Sequence, residues 1–125
     1  MMKVKFSFED LEVWQKAVDF AYRVISLAEE MQTDRKHFRL IEQLESASTS
    51  IALNIAEGKG RYSKKEFIQF LYIARGSLYE TITLMMIFNK NKWIDNIQLE
   101  KIKESGDELG KMLSSLINAV KKSRI

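Results

Sequence analysis

The stretch QLESASTSIALNIAEG, residues 43–58, places Gln43, Ser46, Ser48, Thr49, Ser50 and Asn54 inside a pattern that otherwise reads as a buried helix. Amides and hydroxyls at this density suit either catalysis or a hydrogen-bonded packing seam. Nucleophilic catalysis needs a base beside a hydroxyl, and the single histidine, His37, has no place next to the serines in sequence. A di-iron bundle would need two Glu-x-x-His elements with further inward carboxylates. The nearest approach, Asp34-Arg35-Lys36-His37, occurs once and in a predicted loop.

Two other arrangements carry potential chemistry. EGKGRYSKK, residues 57–65, combines glycines with lysines, but it lacks Walker A spacing and follows no strand. Glu57 and Glu80 are the one carboxylate pair suited to acid–base work, although helix caps and hydrogen-bonded carboxylates more often explain such residues. Cysteine is absent, which excludes thiolate metal sites, disulfides and cysteine nucleophiles. The chain is therefore predicted not to be an enzyme, with no catalytic residue, cofactor or metal site.

The elements that must position the polar stretch follow from its surroundings. With 125 residues, no proline and five glycines, the chain suits one all-α domain spanning 1–125. The segment FSFEDL predicts a first helix from an N-cap at Ser7 to about Met31, with Phe6 and Leu11 as a hydrophobic staple. Apolar spacing resumes at Phe38 and ends at Gly58, predicted as a left-handed C-cap. Ser63 with Glu66, and Asp95 with Gln98, repeat the start signal for helices reaching about Asn89 and the basic tail. Short connections between four long helices predict an antiparallel up-down-up-down four-helix bundle.

At about 100° per residue, Leu40, Leu44, Ala47, Ile51 and Ile55 define the inner face of the second helix, and Gln43, Ser50 and Asn54 line one edge of it. These residues, with Glu57 and with Glu80 on the third helix, are predicted to form a structural polar seam. Ser77 and Glu80 are the available partners. The first and third helices carry more apolar surface than one core needs. Trp14, Val18, Ala21 and Ile25 form one stripe, and Val13, Phe20 and Leu27 a second. On the third helix Phe67, Phe70, Ala74, Leu78, Thr81 and Met85 face a core, while Ile68, Tyr72, Tyr79, Ile82 and Met86 fall elsewhere. The second stripes predict self-association through Val13, Phe20, Leu27, Tyr72 and Tyr79; the alternative is that these two helices are simply the most central. The fourth helix has a narrower stripe, Ile102, Leu109, Leu113, Leu116 and Val120, with Gly106 and Gly110 either permitting close helix approach or, as the preferred reading, weakening or bending it.

The segment FEDLEVWQKA, then Gln43, Leu44, Ala47, Ser50 and NIAEG (Asn54–Gly58), then FIQFLYIARGSLYE resemble the 23S rRNA intervening-sequence protein family over nearly the whole chain. The resemblance implies a small bacterial four-helix bundle assembling into rings, commonly homopentamers. That family is also similar to the accessory variability determinant of diversity-generating retroelements, which implies RNA or DNA and a reverse transcriptase as partners. The chain departs from the family in carrying Glu45 and Ser46 where basic residues often follow the Gln-Leu pair.

The net charge of +3 is modest, so its distribution matters more than its size. An up-down-up-down bundle gathers both termini and the second turn at one end. Lys59, Arg61, Lys64, Lys65, Lys121, Lys122 and Arg124 are predicted to bind nucleic-acid backbone there, with Lys3 and Lys5 nearby and Tyr62 as a stacking platform. The competing reading is a protein–protein scaffold whose terminal lysines are only solvated. Neither a secretory leader nor a membrane-spanning run is legible, and a cytoplasmic location is expected.

Overall fold

The computed structural model describes residues 2–31 and 37–123. Four helices account for most of them: α1 (Glu12–Glu30), α2 (Phe38–Lys59), α3 (Lys64–Lys90) and α4 (Asn96–Lys122), preceded by a 3-10 turn over Ser7–Asp10. Polar caps set two of the starts as anticipated. Ser63 Oγ accepts the Glu66 N–H at 3.1 Å, and Asp95 and Gln98 exchange hydrogen bonds of 2.7 and 2.9 Å.

The first helix begins differently. Ser7 is not its cap: the Glu9 carboxylate accepts the Phe6 N–H at 2.7 Å and closes the 3-10 turn. Leu11 is then extended, and α1 starts at Glu12. Phe6 stacks on Phe8 with ring centroids 5.7 Å apart, and Phe8 tilts against Trp14 at 5.1 Å. An aromatic relay thus replaces the expected staple as the element that turns the chain into the bundle.

Gly58 is not a left-handed C-cap. α2 continues through Lys59, and Gly60 keeps a right-handed φ of −83°. Gly58 is buried against α3, where a Cβ would lie 2.6 Å from Phe70 Cβ. The left-handed cap occurs instead after α3, at Lys92, with φ 64°. There Lys92 N–H bonds to Asn89 C=O at 2.9 Å and Trp93 N–H to Phe88 C=O at 3.0 Å. The rings of Trp93 and Phe88 meet at 4.9 Å, completing a Schellman motif with its usual apolar contact.

Contacts between helices give their directions. Along α1 and α4, Lys16 pairs with Glu108 at 3.4 Å and Arg23 with Ser105 at 3.0 Å, so one number rises as the other falls. Tyr72 meets Lys121 and Arg75 meets Ser114 between α3 and α4. Gly58 packs on Phe67 and Phe70, and Ser50 on Ser77, between α2 and α3. All three pairs are antiparallel, which leaves α1 and α2 antiparallel as well. Neighbours in sequence pack side by side, α1 closes on α4, and the Cα atoms of neither diagonal pair come within 8 Å of each other.

The core corrects the division of α1 into two stripes. Val13 and Phe20 are buried at the bundle centre with Ala17 and Val24, and Leu27 packs partly buried against them. Val13 and Phe20 are therefore not free for contact with another copy. Of the first stripe Ala21 is buried, Trp14 and Ile25 are half-buried, and Val18 is exposed. When apolar residues cover most of a helix, the wheel cannot rank its two arcs; small Ala17, Val24 and Ala28 let the other helices approach, and that fixes which arc goes inward. On α3 the expected division holds at Ala74, Leu78, Thr81 and Met85 inside and Tyr72, Tyr79 and Met86 outside, while Ile68 and Ile82 are half-buried. At Gly106 of α4 the close-approach reading holds: it is buried, with an added Cβ 2.8 Å from Ile82 Cδ1, and so lets α3 come near.

Candidate nucleic-acid interface and polar seam

The α2–α3 turn and the end of α4 meet at one end of the bundle. Lys64, the first residue of α3, donates through Nζ to the carbonyls of Lys121 (3.2 Å) and Ser123. A lysine on the open carbonyls of a helix C-terminus satisfies acceptors that the helix itself cannot, and complements its dipole. Lys121 in turn donates to Tyr72 Oη at 2.7 Å and lies 5.2 Å from the ring centroid, with the Arg75 guanidinium 4.9 Å from the same centroid. The Lys121 hydrogen bond is the main reason the Tyr72 hydroxyl titrates below its ordinary value.

Among the cations predicted for this rim, Arg61 is also engaged. Its guanidinium reaches Glu57 at 2.8 Å and Glu66 at 3.9 Å, and covers the Phe70 ring at 4.8 Å. Exposed pairs of this kind contribute little stability, but the one guanidinium offsets one of the two carboxylate charges. Lys5 offsets that of Asp10 at 2.6 Å. Lys59, Lys65 and Lys122 have no ion pair or side-chain hydrogen bond among the described residues, and Tyr62 beside them is fully exposed. Arg124 lies outside the described residues. The pairing of Lys64 and Lys121 with groups dozens of positions away carries no local sequence signal.

The seam lies between α2 and α3. Ser77 Oγ donates to Ser50 Oγ at 3.0 Å, and Asn54 Nδ2 donates to Ser50 Oγ and the Ser50 carbonyl at 2.8 and 2.7 Å. Gln43 Nε2 makes a long 3.4 Å bond to Glu80. Glu57 does not join this set; it takes Arg61 instead. The only two carboxylates suggested for acid–base work thus serve different partners. Ser48 and Thr81, both fully buried, bond back to the Glu45 and Ser77 carbonyls of their own helices at 3.1 and 2.8 Å. No buried side-chain polar atom among the described residues lacks a partner.

Ser50 is the hub, because one oxygen serves both Asn54 and Ser77. Ser50→Ala is expected to lower the unfolding free energy by about 1–2 kcal/mol, since it removes the acceptor of the Ser77 hydroxyl across the seam, whereas Asn54 keeps the carbonyl of residue 50. A urea midpoint equal to that of the parent protein would show the seam to be dispensable.

At the opposite end the His37 ring packs at a tilt against Trp93, with centroids 4.7 Å apart, which gives the lone histidine a packing role. No helix among the described residues is long and apolar enough to cross a membrane.

Comparison with known proteins matches this architecture. The sequence model of the family described as "23S rRNA-intervening sequence protein" covers residues 9–115. A solved structure from Bacteroides thetaiotaomicron VPI-5482, a protein of unknown function from the S23 ribosomal protein family, superposes with a TM-score of 0.78 at 30% identity. That alignment covers 84% of this chain and 97% of the other. No curated protein matches the chain.

Proposed function

Because the chain belongs to the 23S rRNA-intervening sequence protein family, we propose that it is a non-enzymatic, self-associating helical module that binds RNA or DNA backbone. The binding surface in this reading is the end where the α2–α3 turn meets the α4 C-terminus. The observation that carries it is a local imbalance of charge. Arg61 offsets one of the two charges of Glu57 and Glu66, and Lys5 offsets that of Asp10, so a single carboxylate charge of this set remains against Lys59, Lys65 and Lys122, which have no ion pair among the described residues. Lys64 and Lys121 keep their charges too, because their partners are neutral.

A single patch of this size binds a polyanion weakly. Repetition in an oligomer adds such contacts, each releasing counterions from the nucleic acid. Tyr72 and Tyr79 are the residues of the self-association reading that remain at the surface. A five-membered ring and a reverse-transcriptase partner are what the family resemblance contributes to this proposal.

Changing Lys59, Lys65 and Lys122 together to glutamine leaves Arg61 and Lys64 in their intramolecular roles. The variant is expected to bind arbitrary RNA and DNA duplexes at least about tenfold more weakly, and the slope of log K against log salt should fall by about 2–3 if each lysine meets one phosphate. Circular dichroism and light-scattering mass should not change. Unaltered affinity and slope in the triple variant would refute the rim, and loss of binding to one sequence only would refute backbone recognition.

A further inference from the structure

A different surface, the outer face shared by α2 and α3, has features that the rim does not explain. Ile73 and Ile87 of α3 are 51% and 46% exposed, seven residues either side of Glu80, and Leu53 of α2 is 65% exposed. Gly76 and Thr83 fall between them, so residues 73, 76, 80, 83 and 87 follow the alternating three- and four-residue steps of a coiled-coil seam, pointed outward. Gly76 has no part in packing this chain: a Cβ added there would meet nothing within 4 Å. A glycine at the middle of a 27-residue helix is unfavourable for that helix, and the monomer offers no compensating contact.

The charge of this face is equally one-sided. From residue 40 to 58, α2 contains no lysine or arginine but has Glu42 and Glu45, together with Glu57, which pairs with Arg61 beyond the helix. Between residues 66 and 89 the sole cation of α3 is Arg75, which turns away to Ser114 of α4 and the Tyr72 ring. The exposed surface of α4 is the ordinary solvated kind, with Lys101, Lys103 and Lys111 interleaved with Glu104, Asp107 and Glu108.

We infer that the α2–α3 face is a docking groove for a basic amphipathic helix of another protein. Its apolar stripe would run between Leu53 and Ile73, a large side chain would sit over Gly76, and its flanking lysines or arginines would face Glu42 and Glu80. This is helix-in-groove recognition, with shape set by the apolar anchors and orientation by charge. A second copy of this chain is the poorer occupant. Self-pairing of the face opposes glutamates of like sign, and the exposed side of α1 is also acidic, with Asp19 and Glu29 beside Tyr22. Nucleic acid is repelled by the same carboxylates.

The test uses the full chain and fluorescein-labelled helical peptides with leucine at the first and fourth places of each heptad, flanked by lysine in one and by glutamate in the other. Fluorescence anisotropy at moderate salt should detect binding of the lysine peptide and not of the glutamate peptide. Gly76→Leu fills the groove and should weaken the lysine peptide about tenfold or more, the scale of losing one buried anchor, without lowering the melting temperature. Glu80→Lys should weaken the lysine peptide and admit the glutamate peptide. The triple lysine variant of the rim should keep peptide binding, which separates this groove from the nucleic-acid reading. Equal affinity of the parent and Gly76→Leu proteins for the lysine peptide would overturn the inference. So would a fall in light-scattering mass on Gly76→Leu, which would assign the face to a second copy.

Discussion

Phe88→Ala is expected to lower the unfolding free energy by about 3–5 kcal/mol, the range for emptying an aromatic position in a core that cannot collapse. Phe88 is fully buried in the last turn of α3, and it carries two loads at once. Its ring closes the core at the end opposite the rim and meets Trp93 at 4.9 Å, while its carbonyl accepts the Trp93 N–H that ends the helix. Alanine keeps the carbonyl and removes the ring. Trp93 then loses the apolar contact that accompanies the cap, and Lys92 keeps its unfavourable left-handed φ with less to hold it there. Urea unfolding followed by tryptophan fluorescence reads the effect directly. A loss below about 1 kcal/mol, the level of an ordinary surface change, would mean that the end of the bundle repacks and that Phe88 does not close it.

Gly58→Ala and Gly76→Ala are expected to shift stability in opposite directions, although both put alanine in place of glycine inside a helix. At Gly58 the new Cβ would stand 2.6 Å from Phe70 Cβ and 3.0 Å from a Phe67 ring carbon. The first of these atoms is fixed to the α3 backbone, so relief requires the helices to separate. Overpacking of that kind costs about 1–3 kcal/mol, more than the about 1 kcal/mol by which alanine favours a helix. At Gly76 nothing lies within 4 Å, so only the propensity gain of about 0.5–1 kcal/mol remains. Paired denaturant titrations with equal slopes would read both. A Gly58→Ala protein as stable as its parent would place the two helices farther apart than they are here.

Much of the architecture was legible because helical signals are local. Ser63 with Glu66 and Asp95 with Gln98 are capping partners three residues apart, and the structure forms both hydrogen-bond pairs. The polar edge of α2 was legible for the same reason, since Gln43, Ser50 and Asn54 lie on one side of the inner face at any tertiary arrangement. Even the partner residues Ser77 and Glu80 could be named once an antiparallel α3 was assumed. The start of α1 was not legible: Ser7 has the chemistry of a cap, yet the Glu9 carboxylate and the Phe6–Phe8–Trp14 relay claim that segment.

By itself, then, the sequence determined four helices, their order, most of their ends and the polar edge of α2, all of which depend on groups within a few residues of one another. Tertiary structure alone decided whether Val13, Phe20 or Val18 faced inward, because both arcs of α1 are apolar and only the shapes of α2 and α4 distinguish them. It likewise decided what each glycine is for. Gly58 and Gly106 sit where two helices approach, Gly76 sits in open space, and the left-handed turn that a glycine might have taken belongs to Lys92. The rim divided in the same way: its composition was local, but Lys64 and Lys121 were committed to α4 carbonyls and Tyr72 by contacts spanning 49 to 59 positions. A side chain's chemistry is set by its type, whereas the partners that use it up are set by which distant segment the packed core brings alongside.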